Sequence, residues 1–160
     1  PSDLTATSMN GATPKKTPRR LIDAADHHGW NPLLHATHKG ELLVVHFLLK
    51  HGANAFVMNE NKQNAITIAA VKGHYELTEM FIQMGVPIDQ PDHRDMTPLH
   101  YACFCYRTRV IDLLVRNGAN PFLKTAKRRN AFFLLKGREV PACLASFSHL
   151  EEEEYTAEGA

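Results

Sequence analysis

The chain has 160 residues, of which 44% are hydrophobic and 22% charged, so it carries enough apolar residues to bury the core of one domain. No apolar run approaches the roughly 18 residues of a membrane helix, and residues 1–20 lack the apolar stretch of a signal peptide. We therefore expect an intracellular protein without membrane insertion, in the cytoplasm or alternatively the nucleus. The odd number of cysteines, Cys103, Cys105 and Cys143, disfavours a disulfide framework.

Residues 1–21 are rich in Ser, Thr, Pro and Lys and show no apolar periodicity, which predicts a disordered or draped extension. Thr13 and Thr17 are each followed by a proline and basic residues, a pattern that resembles proline-directed phosphorylation sites. A phosphate there would invert the local charge. The simpler interpretation of this run is a solvated basic linker, and it is a weak match to a nuclear localisation signal.

A helix start organises the rest of the chain. Thr97 is suited to cap a helix with Pro98 in its first position, and Leu99 and Ala102 follow at helical spacing. A second helix is predicted from apolar residues that lie on one face, Val110, Ile111, Leu113 and Leu114. The run Gly118-Ala119-Asn120 then ends it.

This stretch recurs at steps of about 33 residues. Asp92 is preceded one and two steps back by Asn59 and Asp26, and Gly118 by Gly85 and Gly52. The stretch resembles the ankyrin repeat, in which an Asp and a Gly precede Thr-Pro-Leu-His and later positions carry small residues, a glycine, an aliphatic helix and Gly-Ala. The chain departs from that pattern at Asp95 and Tyr106, which stand where the family has glycine.

The resemblance implies an all-α solenoid of helix-turn-helix units joined by hairpin-like loops, with about four repeats over residues 22–150. We assign the repeats to residues 26–58, 59–91 and 92–124, with a degenerate capping repeat at 125–150 and an acidic tail at 151–160. The caps expected for the first two repeats are Asn31 and Asn64. The predicted core includes Leu33, Ala36, Val44, Val45, Leu48, Leu49, Ile66, Ala69, Ala70, Leu77, Met80, Phe81 and Leu114. The first repeat lacks an N-terminal cap, so either residues 4–21 or something outside the chain should cover its apolar face.

We predict no catalytic residues, no cofactor and no metal site. Cys105 lies in no nucleophile motif, although we expect it to be the exposed cysteine. The adjacent pair His27-His28 has no second pair of ligands at metal-binding spacing, and His100 is explained by the helix-start motif.

Ankyrin-like proteins bind other proteins through loop tips and the exposed residues of first helices. Carried over position by position, the resemblance predicts these partner-binding residues: His27, His28, Trp30, His38, Lys39, Lys72, His93, Arg94, Met96, Phe104, Cys105, Lys127 and Arg129. We expect Trp30, Met96 and Phe104 to form the apolar centre of the contact, with the bases around it. The alternative is that Trp30 and Phe104 fold onto neighbouring repeats and shield the core.

Charge indicates the kind of partner. Of the seventeen acidic residues, five lie in the tail, which leaves twelve against eighteen Lys and Arg in residues 1–150, a balance of about +6. We therefore predict an adaptor that binds an acidic segment of another protein, and we expect neither nucleic acid nor a small-molecule substrate as partner. Two alternatives stay open, a scaffold subunit docked through the uncapped first repeat and an accessory domain of a larger enzyme or channel.

Overall fold

The computed structural model describes residues 21–147, and within them a short 3-10 turn at Leu21–Asp23 is followed by eight α-helices and no β-strand. The phosphorylation candidates Thr13 and Thr17 and the acidic tail lie outside the described residues. The helices form four pairs: α1 Pro32–Lys39 and α2 Leu42–Lys50, α3 Ala65–Lys72 and α4 Tyr75–Gln83, α5 Pro98–Phe104 and α6 Thr108–Arg116, α7 Ala131–Leu134 and α8 Ala142–Ala145.

The first helix of every pair begins at a residue that caps it with a side-chain oxygen. Asn31, Asn64 and Asn130 each accept a hydrogen bond from the backbone N–H three residues later. Thr97 does the same, and Nδ1 of His100 accepts in return from the Thr97 backbone N–H at 3.0 Å, which closes a capping box. The predicted caps are confirmed, and Asn130 extends the pattern to the last repeat.

The pairs stack into two layers. The first helices α1, α3, α5 and α7 contact one another in chain order, and α4, α6 and α8 contact one another in a second layer. One continuous core lies between the layers and includes Leu33, Ile66, Phe81, Leu99 and Leu114. The arrangement is the all-helical repeat solenoid that the sequence predicts.

One predicted core residue is wrong. Val44 in α2 has 42% of its surface exposed, whereas Leu77 and Val110, at the same position of the next two repeats, are 2% and 1% exposed. The sequence pattern is the same in all three, but within the described residues no helix pair lies before α2 to cover that side. Burial at this position depends on a preceding repeat.

The turns between paired helices require a left-handed backbone. Gly40 and Gly73 have φ of +77° and +82°, and a Cβ added at Gly40 would lie 2.5 Å from the His74 ring. A Cβ at Gly73 would lie 2.8 Å from the side chain of Arg107. Tyr106 holds the same conformation, with φ of +54°, although it has a side chain.

A candidate protein-binding surface

Each of the first three loop tips is shaped by one side chain. Asp26, Asn59 and Asp92 each use a side-chain oxygen to accept two backbone N–H groups, two and four residues further on. This is the local competition with backbone pairing that Asp and Asn perform well. The hydrogen bond from the Trp30 N–H is the largest influence on the pKa of Asp26 and lowers it; desolvation, the next largest, opposes this, and the N–H of His28 helps to keep the pKa below its usual value. The tips are therefore fixed by bonds within each loop.

Backbone bonds then link one tip to the next. The N–H of Glu60 donates to the carbonyl of His28 at 3.1 Å, that of His93 to Asn61 at 3.2 Å, and that of Ala126 to Arg94 at 3.0 Å. Each tip also has one residue with a positive φ, namely Gly29, Lys62, Asp95 and Arg128. Asp95, which replaces the family's glycine, takes the conformation of glycine with φ of +55°. The tips form a continuous ladder along one side of the solenoid.

The last two tips and the first helices beside them enclose a pocket, here called the basic pocket, with a cavity of about 420 Å³. Phe104 of α5 forms part of it with 62% of its surface exposed, next to Met96, which is partly buried. The pocket is lined by Arg94, Met96, Tyr101, Phe104, Thr125, Ala126, Lys127, Arg129 and Leu134. Apolar side chains line the cavity, and the cations Arg94, Lys127 and Arg129 surround it.

Those three cations, Arg94, Lys127 and Arg129, are exposed, and no carboxylate in residues 21–147 forms an ion pair with any of them. The guanidinium of Arg129 lies 4.9 Å from the centroid of the Phe133 ring, a cation-π contact that leaves its charge uncompensated. A carboxylate entering the pocket would meet positive charge from two loop tips.

Asp92, which bonds the pocket-lining Tyr101, is already bound. The Tyr101 hydroxyl donates to Oδ2 of Asp92 and accepts a hydrogen bond from the amide of Gln63 at 3.2 Å. Burial, and then the Asp92 carboxylate, raise the pKa of Tyr101 to about 12, so the hydroxyl keeps its proton. The carboxylate oxygens of Asp92 accept hydrogen bonds from the Tyr101 hydroxyl and from the loop backbone. The charge of Asp92 is therefore directed at these partners.

At the other end of the tip ladder lies a cavity of about 260 Å³. The residues that line it, here called the Trp30 cluster, are Asp26, His28, Trp30, His35 and His38. Trp30 is partly buried and packs against the core, with its ring 5.2 Å from that of His35 and 5.5 Å from that of His38. Nε2 of His35 lies 3.1 Å from Oδ2 of Asp26. Desolvation, and then the charge of Lys72, lower the pKa of His38, which favours its neutral form.

The structure places the remaining predicted residues as follows. His27 is exposed and its ring lies 4.0 Å from that of His28, while Nε2 of His93 donates to the Glu60 carbonyl at 2.7 Å. Lys39 and Lys72 are exposed at the ends of α1 and α3.

The cysteine expectation needs correction. Cys105, expected to be exposed, is partly buried just after α5, and so is Cys143. Burial raises the pKa of the Cys103 thiol to about 12, so that residue is an inert packing group.

The basic pocket thus brings together Arg94, Met96, Phe104, Lys127 and Arg129, and Trp30 lies apart from them with His28 and His38. Sequence reasoning missed Tyr101 and Leu134, which also line the pocket. The signal was available, because Leu134 stands one repeat period after Tyr101 and both occupy an inner position of a first helix.

Two kinds of site have no counterpart in the described part of the chain. Residues 21–147 contain no cluster of three or more His, Cys, Asp or Glu side chains that is arranged to hold a metal ion. None of the described helices has both the length and the apolarity needed to cross a bilayer.

Comparison with known proteins agrees with this architecture. A family model described as ankyrin repeats (3 copies) matches residues 44–125, about half of the chain. The chain is 29% identical over 115 residues to the ankyrin repeat and KH domain-containing protein mask-1 of Caenorhabditis elegans, covering 71% of this chain and 4% of that protein. It is 33% identical over 93 residues to the mouse RelA-associated inhibitor, covering 58% of this chain and 11% of the inhibitor.

A third relative is the tyrosine-protein kinase Shark of Drosophila melanogaster, 32% identical over 119 residues, which covers 71% of this chain and 13% of the kinase. The chain therefore spans a small fraction of these relatives. The repeated caps, the stacked helix pairs and the family match lead to one conclusion: the chain belongs to the ankyrin-repeat family.

Proposed function

We propose that the chain binds an acidic segment of another protein, with the basic pocket as the centre of the contact. Ankyrin repeats are a general protein-protein interaction module without catalytic activity of their own. The observation that carries the proposal is an apolar cavity bordered by three cations that have no carboxylate partner in the described residues.

The chemistry of the pocket defines the ligand. Phe104 and Met96 offer apolar surface, and covering an exposed aromatic ring is the kind of contact that concentrates binding energy. Arg94, Lys127 and Arg129 would attract carboxylates and disfavour cations. A segment with one bulky apolar side chain and flanking Asp or Glu residues satisfies both requirements. The Trp30 cluster, at the far end of the tip ladder, would lengthen the contact for a longer segment.

Selection from a random peptide library displayed on phage tests the ligand class directly. Peptides retained by the full chain should be enriched in Asp and Glu around a bulky apolar residue. The same selection with the Lys127→Glu, Arg129→Glu variant should lose that acidic enrichment. Retained peptides that are neutral or basic would refute an acidic ligand.

Kinetics of one selected peptide then separate anchoring from steering. Phe104→Ala should mainly raise the dissociation rate and weaken affinity by about 2 kcal/mol or more, as expected for truncation of a central aromatic. Lys127→Glu should mainly slow association and reduce its dependence on salt, because peripheral charges steer the encounter.

The matched control is Arg116→Glu, the same reversal of charge on α6, where Arg116 pairs with Asp112 at 2.9 Å instead of lining the pocket. It should leave both rates unchanged once circular dichroism shows that the variant is folded. If Arg116→Glu and Lys127→Glu slow association equally, binding follows net charge and the basic pocket is not the site.

A further inference from the structure

The fourth repeat is the most basic part of the described chain. Residues 125–147 contain five Lys or Arg side chains and one carboxylate. Two of the cations lie over the same aromatic ring, since the guanidinium of Arg129 and the ammonium of Lys136 are 4.9 Å and 5.9 Å from the centroid of Phe133. None of the five forms an ion pair with a carboxylate of residues 21–147. The positive potential of this repeat is therefore uncompensated within the described part of the chain.

The acidic tail that follows this repeat has the composition of a ligand for the basic pocket. Glu151 to Glu154 are four consecutive glutamates, and residues 148–160 contain no Lys or Arg. Tyr155 comes directly after the run and supplies one bulky aromatic side chain. Carboxylates next to a large, partly apolar side chain are what the three cations and the apolar lining of the pocket select.

The described residues end close to the pocket. Phe147 is the last of them, and its ring lies 6.3 Å from that of Phe122. Phe122 precedes by three residues Thr125, which lines the pocket. Its ring also lies 5.9 Å from that of Phe132 in α7, the helix that contributes Leu134 to the pocket. The tail therefore starts from the repeat that forms one wall of the pocket.

The tail is long enough to reach the pocket. Two phenylalanine side chains and three residues separate the backbone of Phe147 from that of Thr125, which is at most about 24 Å. The eight residues from Phe147 to Tyr155 span up to about 28 Å when extended. Even at the largest possible separation, Tyr155 can enter the cavity while the glutamates before it pass the fourth loop tip.

The pocket has room and charge for both parts of the tail. Its cavity of about 420 Å³ falls in the size range of sites that enclose small organic groups. A tyrosine ring there would pack against Phe104, whose exposed ring favours an aromatic neighbour. Arg94 belongs to the third tip and Lys127 and Arg129 to the fourth, so consecutive glutamates would meet cations on both sides of the cavity.

We propose that the acidic tail occupies the basic pocket of its own chain when no partner is bound, with Tyr155 against Phe104 and Glu151 to Glu154 beside the three cations. This occupation rests on the proposed function, since it uses the same pocket and the same ligand chemistry. A tether of a few residues holds the tail at an effective concentration of about 1 mM, so an external acidic segment binds only by displacing it. The tail is thus an internal competitor that weakens the binding of partners.

Amide chemical shifts of the isotope-labelled full chain, measured by NMR, test the occupation without an external ligand. The variant removes the charge of the tail and keeps its length: Glu151→Gln, Glu152→Gln, Glu153→Gln and Glu154→Gln. The amide signals of Ala126 and Lys127 should differ between the wild-type chain and this variant. The difference should persist on dilution, because the contact lies within one chain.

The matched control makes the same change of net charge in the first two repeats, away from the basic pocket: Glu41→Gln, Glu60→Gln, Glu76→Gln and Glu79→Gln. It should leave the signals of Ala126 and Lys127 where they are in the wild-type chain. Signals that do not move in the tail variant overturn the proposal, as do signals that move equally in the control. A difference that vanishes on dilution overturns contact within one chain and assigns the tail to the pocket of a second copy.

Competition measures the strength of the contact. The probe is a fluorescent peptide with the sequence of residues 149–157, and its binding to each full chain is followed by fluorescence polarisation. The tail variant should bind the peptide about tenfold more tightly than the wild-type chain, because its pocket is empty. The control variant should bind it as the wild-type chain does. Equal affinity for the wild-type chain and the tail variant overturns the proposal.

These outcomes are distinct from failure of the proposed function. If peptides selected on phage bind the wild-type chain and the tail variant equally, the pocket takes acidic ligands and only its occupation by the tail is wrong. If the signals of Ala126 and Lys127 respond to the tail but no selected peptide binds either chain, the occupation stands and the proposed function fails.

Discussion

The inner repeats and the first repeat are built from the same pattern and yet bury different amounts of it. In the second layer α6 contacts α4 on one side and α8 on the other, and Phe81 of α4 and Leu114 of α6 are fully buried. In α2 the equivalent side is open, and Val44 and Phe47 reach solvent. The comparison teaches that the repeat pattern determines the helix pair, whereas the neighbouring pair determines how much stability a given apolar residue contributes.

The largest expected effects test the inner repeats. Phe81→Ala and Leu114→Ala remove fully buried side chains and should lower the free energy of unfolding by about 2 to 5 kcal/mol each. Urea denaturation followed by circular dichroism measures this. Losses below about 1 kcal/mol for both would contradict the buried packing assigned to Phe81 and Leu114.

A matched pair of valines tests the comparison itself. Val110→Ala and Val44→Ala are the same change at the same repeat position, with exposed fractions of 1% and 42%. Val110→Ala should cost about 2 kcal/mol in unfolding free energy and Val44→Ala under about 0.5. Urea denaturation of both variants measures these costs. Equal costs would mean that the side of α2 that carries Val44 is covered in solution.

The stability that a helix cap contributes should be the same in the first repeat and in the inner repeats. Asn31 in the first repeat and Thr97 in the third bond the backbone within their own helices, so their contribution does not depend on a neighbouring pair. Asn31→Ala and Thr97→Ala should each cost about 1 kcal/mol in the same urea experiment. A markedly larger loss at Thr97 would show that the cap in an inner repeat also supports the packing between repeats.

Acid should destabilise the protein in part through His100 of the third repeat. His100 is 1% exposed, its Nδ1 accepts from Thr97 and its Nε2 donates to the Leu123 carbonyl at 2.8 Å, so the folded state holds it neutral. Burial lowers the pKa of His100, and the unfolded chain therefore binds the proton more readily than the folded one. Stability is fully present above the unfolded pKa of about 6.5 and should fall as the pH drops below it.

The matching change is His100→Gln, which keeps a side-chain acceptor at the capping-box position. The dependence of the unfolding free energy on pH between about 8 and 5 should be shallower in this variant, without becoming flat because His38 also has a lowered pKa. The equivalent positions in the first two repeats carry Leu34 and Thr67, so they should contribute nothing to this dependence. An unchanged slope would place the acid sensitivity elsewhere.

Much of the fold could be predicted from the sequence, because the features that define it are local and recur. The caps Asn31, Asn64 and Thr97 are readable from residue type and spacing, and so is the inward position of Leu114. Val44 could not be placed correctly, since its residue type and register are those of a buried position and its exposure depends on what lies beside it.

Less of the candidate binding surface could be predicted from the sequence, for a related reason. The position of Phe104 on the inner side of a first helix follows from its register, and its exposure agrees with that. The separation of Trp30 from Phe104 could have been inferred, because the repeat assignment places them in the first and third repeats with the second repeat between them. The bond from Tyr101 to Asp92 joins two recognisable positions, but nothing in either residue type predicts that they pair.

The glycines between paired helices also restrict the order in which the repeats can follow one another. Gly40 leaves room for His74 and Gly73 leaves room for Arg107, so each of these turns is matched to a side chain of the following repeat. Tyr106 precedes a repeat that has Val140 at the corresponding position, and its hydroxyl donates instead to the Glu139 carbonyl at 3.1 Å. The repeats are consequently not interchangeable modules. An engineer who shuffles or duplicates them would have to exchange each turn residue together with the side chain that follows it, and a copy of the third repeat placed ahead of the second would need glycine where it now has Tyr106.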